Sequence, residues 1–534
     1  MQHWPLRVTR LVDHAEREHS DGEIVTAWGD GRITRTSWGK VAGDARKMAQ
    51  ALERLGIKPG DRVATLAMNH EHHLVAWYGS AGMGGVLHTI NPRLFDDQLE
   101  YIANHAEDRV LLYDRAFTPI VERMKPKWTT IERYICFDPA EGETGFREWI
   151  DAEDGKYEWH EGDERDPVGL CYTSGTTGNP KGVLYEHRST MLHTLVQLSP
   201  DIMGISKQSV VLPIVPMFHA NAWGVPWAGA AAGAKLVLSA DYRPERMCQL
   251  FREEEVTHSA GVPTVWLTMI EHIERTGEEL GPLKQVTIGG SAAPRAMIRW
   301  LRNRGVQVGH AWGMTETSPI GTCGTPPAGW DRMSDEEQVE YIARQGRVPF
   351  GVELRVVDDE GNVQPRDGKS SGRLQCRGPW IIKRYFEAEE DAADEDGWFD
   401  TGDVAVLHPD GTMQITDRSK DVIKSGGEWI SSIELENAAV GHPAVAEAAA
   451  IGIPHPKWDE RPLLVVVRAN GQEAGAEEIR EHLRKQVASW WLPDAIEFVD
   501  ELPHTATGKL SKLRLREQFK DYRFATAEEM VGRD

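Results

Sequence analysis

A loop rich in glycine and hydroxyl side chains, CYTSGTTGNPKGV at residues 171–183, carries the residue types that bind phosphate groups. Glycine adopts positive φ at little cost, so backbone amides can approach an anion closely. The hydroxyl groups add hydrogen-bond donors, and Lys181 adds a positive charge. The residues expected to contact a polyphosphate are Thr173, Ser174, Gly175, Thr176, Thr177, Gly178 and Lys181.

This loop differs from the P-loop of nucleotide hydrolases. In a P-loop the lysine is followed by serine or threonine, which holds magnesium, whereas Lys181 is followed by Gly182. Apolar, strand-like runs lie on both sides of the loop, at residues 168–172 and 183–185. A flexible surface linker rarely has such flanks, so the pattern predicts a phosphate site of another enzyme class.

Six further motifs follow the loop: PMFHANAW (216–223), GGSAAP (289–294), HAWGMTETSP (310–319), GWFDTGDV (397–404), DRSKDVIKSGGEWIS (417–431) and PHTATGKL (503–510). In this order they resemble the motifs of the adenylate-forming superfamily, which includes acyl-CoA synthetases, firefly luciferase and the adenylation domains of peptide synthetases. The pattern is most similar to that of medium- and long-chain fatty acyl-CoA synthetases. The resemblance covers nearly the whole chain and implies activation of a carboxylic acid with ATP, release of pyrophosphate and acyl transfer to coenzyme A.

The resemblance implies that ATP, CoA and Mg²⁺ bind to the protein. It makes Glu316 the magnesium ligand, with Thr173 nearby, and one hard oxygen ligand plus substrate phosphates is normal for Mg²⁺. Lys509 is implied to contact the carboxylate and the α-phosphate during adenylation, where it supplies positive charge as the pentavalent state forms. His219 completes the catalytic candidates, at the mouth of the acid site.

The nucleoside candidates come from three motifs. Trp312 stands where most relatives have tyrosine, so it keeps an aromatic face for adenine and lacks the hydroxyl. Asp403 is implied to accept both ribose hydroxyls, as a carboxylate can, with Arg418 as its partner. The other expected nucleotide contacts are Gly290, Ser291, Ala292, His310, Ala311, Gly313 and Thr315.

The acid is expected to bind near His219, Asn221, Trp223 and Val225, because the residues that follow, 224–230, are apolar and mostly small. In fatty acyl-CoA synthetases a tryptophan in this pattern gates the chain tunnel, and the resemblance implies that role for Trp223. The segment has no acidic residue to pair with a substrate ammonium, which disfavours an amino acid.

The CoA site is implied at the segment SGGEW (425–429), where two glycines would let a pantetheine arm pass close to the backbone. The expected contacts there are Lys420, Lys424, Gly427 and Trp429.

Composition excludes several classes of protein. The 83 acidic and 60 basic residues give a formal net charge of −23, which repels nucleic acid and anionic membranes. The 5 cysteines are widely spaced without a C-x-x-C pair, so neither a disulfide framework nor a zinc site is indicated, and a reducing cytoplasm fits. No run approaches the about 20 apolar residues of a membrane span. We predict a cytoplasmic protein with small-molecule substrates, without nucleic acid or a membrane span, and the resemblance adds a homodimer.

The elements that must position these residues indicate an α/β fold. Helix-like and strand-like runs alternate from residue 36 to 325, which is typical of parallel sheets covered by helices. From residue 351 the period changes to two, with DEGN and PDG turns, and predicts a small antiparallel β subdomain, a barrel or a sheet, at about 346–417. The pattern of mixed helices and strands then resumes. We expect an N-terminal domain at 1–419 and a small α+β C-terminal domain at 420–534, which the resemblance implies is mobile and carries the catalytic lysine.

Other functions stay open beside fatty-acid activation. The nearest is a CoA ligase for a short or aryl acid such as 3-methylthiopropionate. A carrier-protein loading module would be expected to carry a phosphopantetheine serine in an attached domain, and no such domain follows Leu510 in this sequence. A binding protein without activity would be expected to have lost Lys509 or Glu316, and both are present.

Overall fold

The computed structural model of the protein describes residues 1–173, 179–425, 428–469, 471–504 and 510–524, with the backbone alone at residues 428 and 429. Its helices are α1 (Thr9–Glu18), α2 (Trp38–Arg54), α3 (Glu71–Gly82), α4 (Asp96–His105), α5 (Thr118–Met124), α6 (Phe146–Asp151), α7 (His187–Gln197), α8 (Val225–Ala232), α9 (Pro244–Glu253), α10 (Pro263–Thr276), α11 (Arg295–Arg302), α12 (Asp335–Ala343), α13 (Ser432–Val440), α14 (Ala476–Arg484) and α15 (Lys512–Gln518).

The strands of the N-terminal half are β1 (Glu23–Ala27), β2 (Ile33–Ser37), β3 (Arg62–Leu66), β4 (Val86–Thr89), β5 (Asp108–Tyr113), β6 (Arg133–Cys136), β7 (Pro167–Tyr172), β8 (Gly182–Glu186), β9 (Val210–Pro213), β10 (Lys235–Ser239), β11 (His258–Gly261), β12 (Gln285–Ile288), β13 (Gln307–Trp312) and β14 (Thr322–Cys323). The remaining strands are β15 (Glu353–Val357), β16 (Gly372–Arg377), β17 (Phe399–Leu407), β18 (Met413–Arg418), β19 (Ile423–Ser425), β20 (Glu428–Ile430), β21 (Val445–His455), β22 (Asp459–Arg468) and β23 (Ala495–Val499).

The N-terminal half contains two mainly parallel sheets. One has 8 strands in the order β14-β13-β12-β11-β9-β10-β1-β2, and the other has 6 in the order β6-β5-β3-β4-β7-β8. Their antiparallel pairs, β13–β14, β1–β2 and β7–β8, lie at sheet edges. All four residues of β4 are buried, as expected for a strand covered on both faces. The predicted α/β class is confirmed.

Helix α2 shows how the sequence specifies a covering helix. The Ser37 side chain accepts a hydrogen bond from the amide of Lys40 and caps the first turn. Val41, Ala45, Met48 and Leu52 recur at helical spacing, are fully buried or nearly so, and belong to the largest apolar cluster of the protein. The helix ends before Gly56, whose φ of 81° favours glycine.

The predicted antiparallel subdomain is a four-stranded sheet, β15-β16-β17-β18. The PDG turn connects β17 to β18, with Leu407 paired to Met413, as expected. The DEGN turn does not start a full strand, because after the single bridge Val357–Val363 the chain leaves the sheet and returns only as β16. Pro365 lacks an amide donor, which explains why pairing stops there.

The C-terminal part is an α+β unit. Strands β20-β19-β22-β21 form a sheet, and β23 pairs with β22 in parallel. The expected boundary at residues 419–420 falls in the turn that follows β18. That boundary and the mobility of the C-terminal part stay predictions.

None of the helices in the described part of the chain is long and apolar enough to cross a membrane.

Candidate active site

A cleft of about 640 Å³ lies where the carboxyl ends of both parallel sheets face the antiparallel sheet. Thr89 ends β4, Tyr172 ends β7 and Trp312 ends β13, and all three line the cleft. Carboxyl ends of parallel strands are a common location for ligand sites, because side chains of several strand–loop junctions converge there. The antiparallel sheet contributes Phe399 and Arg418 to the opposite wall.

The base of the phosphate loop enters this cleft. The amide of Thr173 donates to the carbonyl of Lys181 at 2.9 Å, and the amide of Lys181 donates to Thr173 Oγ1 at 3.2 Å. These bonds continue the β7–β8 pairing and fix where the loop begins and ends. Ser174, Gly175, Thr176, Thr177 and Gly178 lie outside the described residues.

Glu316 lies in the cleft wall within a short 3₁₀ turn, residues 315–317, that follows β13. Its Oε1 accepts a hydrogen bond of 2.9 Å from the hydroxyl of Tyr385. The aromatic ring of Tyr385 also lies 4.8 Å from the ammonium nitrogen of Lys181. Tyr385 therefore contacts the predicted metal ligand and the predicted phosphate-binding lysine.

Burial determines the protonation properties of this pair. It raises the pKa of the Glu316 carboxyl, whereas the hydrogen bond from Tyr385 and the charge of Arg418 act in the opposite direction. Burial and the neighbouring carboxylate raise the pKa of the Tyr385 phenol, which keeps that hydroxyl a donor. A buried carboxylate that needs a compensating positive charge fits a magnesium ion, and the hydroxyl of Thr173 in the same cleft fits a second hard ligand.

Of the adenine candidates at residues 290–292, Gly290 lines the cleft. It follows β12 and has a φ of 86°. His310 lies behind this segment: it is fully buried, its Nε2 accepts from the amide of Ala293 at 3.3 Å, and its Nδ1 contacts the carbonyl of Ile342 at 3.0 Å. Burial lowers its pKa. His310 thus supports the loop that contains Ser291 and Ala292 and does not line the cleft.

Gly313 must be glycine, because a Cβ there would lie 1.6 Å from the carbonyl oxygen of Pro319. The neighbouring candidates Ala311 and Thr315 line the cleft. The carbonyl of Thr315 accepts a hydrogen bond of 2.9 Å from Tyr185 on β8, which joins this segment to the strand after the phosphate loop.

Trp312 and Asp403 are in direct contact. The indole Nε1 donates to Asp403 Oδ2 at 2.8 Å, and Arg418 Nε lies 3.2 Å from the other carboxylate oxygen. Asp403 is 5% exposed, and Arg418 pairs with it across the β17–β18 ladder. The two residues expected at the ribose are therefore placed together.

The acid candidates lie on an unusual turn. Ala220, Asn221, Ala222 and Trp223 all have positive φ, from 41° to 59°, before Gly224 at 80°. Such conformations cost about 1–3 kcal/mol each for non-glycine residues, so the surroundings must enforce them.

Two hydrogen bonds secure this turn. Gln197 Nε2 donates to the carbonyl of Trp223 at 2.9 Å, and Cys171 Sγ donates to Asn221 Oδ1 at 3.3 Å. Cys171 lies two residues before Thr173, so the strand that leads into the phosphate loop also holds the turn at residues 220–223 in place.

His219 and Trp223 line the cleft, whereas Asn221 is buried against Cys171 and Val225 is buried at the start of α8. The Trp223 indole packs against the backbone of Gly289, where a Cβ would lie 3.3 Å from Cη2. Ile202, Met203 and Phe218 add apolar wall nearby. The lining of the cleft thus combines polar and apolar side chains.

Two of the CoA candidates, Lys420 and Lys424, do not line the cleft. Lys420 follows β18 and its carbonyl accepts from Arg516 at 3.1 Å. Lys424 is exposed on β19, and its amide donates to Glu460 at 2.9 Å. Trp429 is described by its backbone alone, opposite Lys424 in the β19–β20 hairpin. Gly427 and the catalytic candidate Lys509 lie outside the described residues.

A cleft of this kind has room and side chains suited to a nucleotide beside a second substrate, and the comparisons give the family. The model of the AMP-binding enzyme family matches residues 12–386, and that of the AMP-binding enzyme C-terminal domain matches residues 434–509. The chain belongs to this family, the adenylate-forming acyl-CoA ligases, as the sequence motifs indicated.

The chain is similar to several named CoA ligases. The chain is 49% identical to a 3-methylmercaptopropionyl-CoA ligase of Ruegeria lacuscaerulensis, over 97% of this chain and 98% of the relative. It is 45% identical to a medium-chain-fatty-acid–CoA ligase of Ectopseudomonas oleovorans, over 97% and 96%. The fold matches a crystal structure of the anthranilate CoA ligase AuaEII with anthranoyl-AMP, with a TM-score of 0.86 at 24% identity over 96% of this chain and 98% of that one.

Proposed function

We propose that the protein joins a medium- to long-chain fatty acid to coenzyme A in two steps, through an acyl-adenylate. The observation that carries this proposal is a single cleft whose lining includes Lys181 and Glu316 together with the apolar side chain of Trp223. A carboxylate can then meet ATP while its alkyl chain stays away from water.

In the first step the carboxylate attacks the α-phosphorus of ATP and pyrophosphate leaves. Negative charge grows on the leaving group, so fixed positive charge near it lowers the barrier. Lys181 and the loop at 174–178 are our candidates for the β- and γ-phosphates. Glu316 and Thr173 would hold Mg²⁺, which when bound would neutralise phosphate charge.

The reacting centre needs its own charge and orientation. We propose that Lys509 contacts the substrate carboxylate and the α-phosphate, and that His219 orients the acid at the mouth of its pocket. Asp403 and Arg418 would hold the ribose, because a buried carboxylate can accept hydrogen bonds from both hydroxyls of a cis-diol.

In the second step the CoA thiol attacks the acyl carbonyl and AMP leaves. We propose that the segment around Lys420, Lys424, Gly427 and Trp429 guides the pantetheine arm, after the C-terminal part rotates about residues 419–420. Rotation would let one acyl pocket serve two transition states.

A short thioether acid, 3-methylmercaptopropionate, is the second candidate substrate. The specific observation in its favour is the packing of Trp223 on the backbone of Gly289, which places a bulky indole in the apolar wall of the cleft. A short acid needs less apolar wall beyond that indole than a long alkyl chain does. The identity of 49% to a ligase named for that acid also supports this candidate.

A chain-length series distinguishes the two substrates. For a fatty acid, each added methylene should strengthen transition-state binding by up to about 0.8 kcal/mol, so kcat/KM should rise with chain length until the pocket ends. Trp223→Ala should move that break, and Trp300→Ala, at a half-buried position of α11 that does not line the cleft, should not. A flat profile from propionate to palmitate, with 3-methylmercaptopropionate or benzoate preferred, would reject the fatty-acid assignment.

We also propose a homodimer in the cytoplasm, which rests on the family resemblance and on the cysteine usage. Sedimentation of the purified protein at several concentrations tests the dimer, and a single species with the mass of one 59.8 kDa chain would contradict it.

A further inference from the structure

The contact between Trp312 and Asp403 joins two residues that are 91 positions apart in the sequence. Trp312 is 8% exposed and Asp403 is 5% exposed, so their hydrogen bond is largely shielded from water. A charge-assisted bond in such surroundings holds its partners firmly, because water cannot easily replace either one.

The carboxylate of Asp403 keeps capacity for further hydrogen bonds. Trp312 donates to Oδ2 and Arg418 lies 3.2 Å from Oδ1, so each oxygen uses one acceptor position. An ionised carboxylate has about four such positions, two on each oxygen. One on each oxygen is left, which matches the two hydroxyls of a ribose cis-diol.

The indole itself has little freedom to move. It lies against Gly321, where a Cβ would approach Trp312 Cζ3 to 2.2 Å, so no larger residue fits there without displacing the ring. The amide of Gly321 donates to the carbonyl of Trp312 at 3.1 Å, and Trp312 pairs with Thr322 across β13–β14. The ring is thus held on one side by glycine and directed at Asp403 on the other.

The backbone of Asp403 is fixed as well. Its amide donates to Thr401 Oγ1 at 3.1 Å, and that hydroxyl donates to the carbonyl of Leu374 at 2.8 Å. What remains free to vary is the rotation of the carboxylate, and the indole N–H restrains it.

We propose that Trp312 is a positioning residue that acts through its indole N–H: it orients the Asp403 carboxylate so that the enzyme selects nucleotides with an intact ribose cis-diol. This inference rests on the proposed function, since it requires that ATP binds in the cleft. It assigns to Trp312 a role in sugar recognition in addition to an aromatic surface for the base.

The test compares ATP with 2′-deoxyATP in acid-dependent pyrophosphate exchange. In Trp312→Phe, which keeps a ring and loses the N–H, kcat/KM for ATP should fall about tenfold, as for loss of a bond to a charged group. The value for 2′-deoxyATP should fall much less, so the ratio of ATP to 2′-deoxyATP should drop severalfold. The matched control is Trp380→Phe, because Trp380 is buried in the same apolar cluster and donates an indole bond of 2.8 Å to Ile320.

A double-mutant comparison separates orientation from packing. In an Asp403→Ala background, Trp312→Phe should have no further effect on the ratio. The inference would be overturned if Trp312→Phe alone left the ratio of ATP to 2′-deoxyATP unchanged. It would also be overturned if Trp312→Phe lowered that ratio equally in the wild-type and Asp403→Ala backgrounds. If Trp312→Phe unfolds, replacement of Trp312 by 3-benzothienylalanine, which keeps the bicyclic shape without the N–H, provides the same comparison. A wild-type protein without any exchange would instead reject the proposed function.

Discussion

The hydroxyl of Tyr385 donates to the carboxylate of Glu316 at 2.9 Å, and the ring of the same tyrosine lies 4.8 Å from the Lys181 ammonium. Tyr385 lies between β16 and β17, outside any helix or strand. One side chain thus links the predicted magnesium ligand to the predicted phosphate ligand. Its two contacts use different groups, the hydroxyl and the aromatic face, so they can be separated by substitution.

Tyr385→Phe should weaken magnesium binding and retain the ring under Lys181. Because the hydrogen bond to a charged group is worth about 1.5–3 kcal/mol, we expect the Mg²⁺ concentration for half-maximal adenylation to rise about tenfold. The measurement is pyrophosphate exchange against Mg²⁺ concentration. Tyr522→Phe is the control, since Tyr522 donates a bond of 2.9 Å to Glu497 and neither residue lines the cleft. Equal Mg²⁺ requirements in wild type and Tyr385→Phe would contradict this prediction.

The pH profile should shift in the same variant. Burial raises the pKa of Glu316, and magnesium needs the ionised form, so kcat/KM at limiting Mg²⁺ should fall as pH decreases through that raised pKa. The decline therefore starts above the pH at which an ordinary glutamate titrates. Because the Tyr385 hydroxyl lowers this pKa, Tyr385→Phe should move the acid limb to higher pH, and a shift to lower pH would show that the hydrogen bond does not favour the carboxylate.

Lys509→Ala should separate the two half-reactions. Loss of one preorganised charge should slow acyl-adenylate formation by about 10²–10³-fold, whereas presynthesised acyl-AMP should still react with CoA. Single-turnover assays of each step measure this, and Lys520→Ala, an exposed lysine later in the sequence, is the control. Equal losses in both steps would indicate that Lys509 acts structurally.

A buried ion pair between Lys512 and Glu436 should stabilise the packing of α15 against α13. Lys512 Nζ lies 2.7 Å from Glu436, and Ser432 on α13 donates through its hydroxyl to Asp417 at 3.0 Å and through its amide at 2.6 Å. Burial alone would lower the pKa of Lys512, but the carboxylates of Glu436 and Asp417 outweigh it, so the pKa is raised. Burial raises the pKa of Glu436.

Lys512→Met should leave Glu436 as an unpaired buried charge and lower the free energy of unfolding by about 3–5 kcal/mol at pH 8. The loss should shrink as pH falls through the raised pKa of Glu436, because protonation removes the unpaired charge. Urea unfolding at pH 8 and pH 5, with Lys520→Met as the exposed control, measures both effects. A loss that is the same at both pH values would contradict this account.

Much of the cleft could be predicted from the sequence because its residues follow strand ends. Thr173 follows β7, Gly290 follows β12 and Trp312 ends β13, so the alternation of helices and strands places them at carboxyl ends of strands in the two parallel sheets. A motif does not tell which of its neighbouring side chains face the ligand. His310 and Val225 were expected as contacts, and both lie behind the wall.

Other features depend on long-range packing. The bonds of Tyr385 to Glu316 and of Trp312 to Asp403 connect residues 69 and 91 positions apart, and no local pattern reports such distances. For this reason the sequence does not identify Tyr385 as a site residue: the stretch RYFE around it matches no motif. The left-handed turn at residues 220–223 has no glycine, so the backbone preferences of its residues do not predict positive φ there.

Acid-dependent exchange between pyrophosphate and ATP, in the absence of CoA, tests the central claim most directly. If the cleft forms an acyl-adenylate, octanoate or 3-methylmercaptopropionate should support incorporation of labelled pyrophosphate into ATP, and adding CoA should yield thioester and AMP in equal amounts. Release of ADP and phosphate, or exchange that needs no acid, would contradict the account.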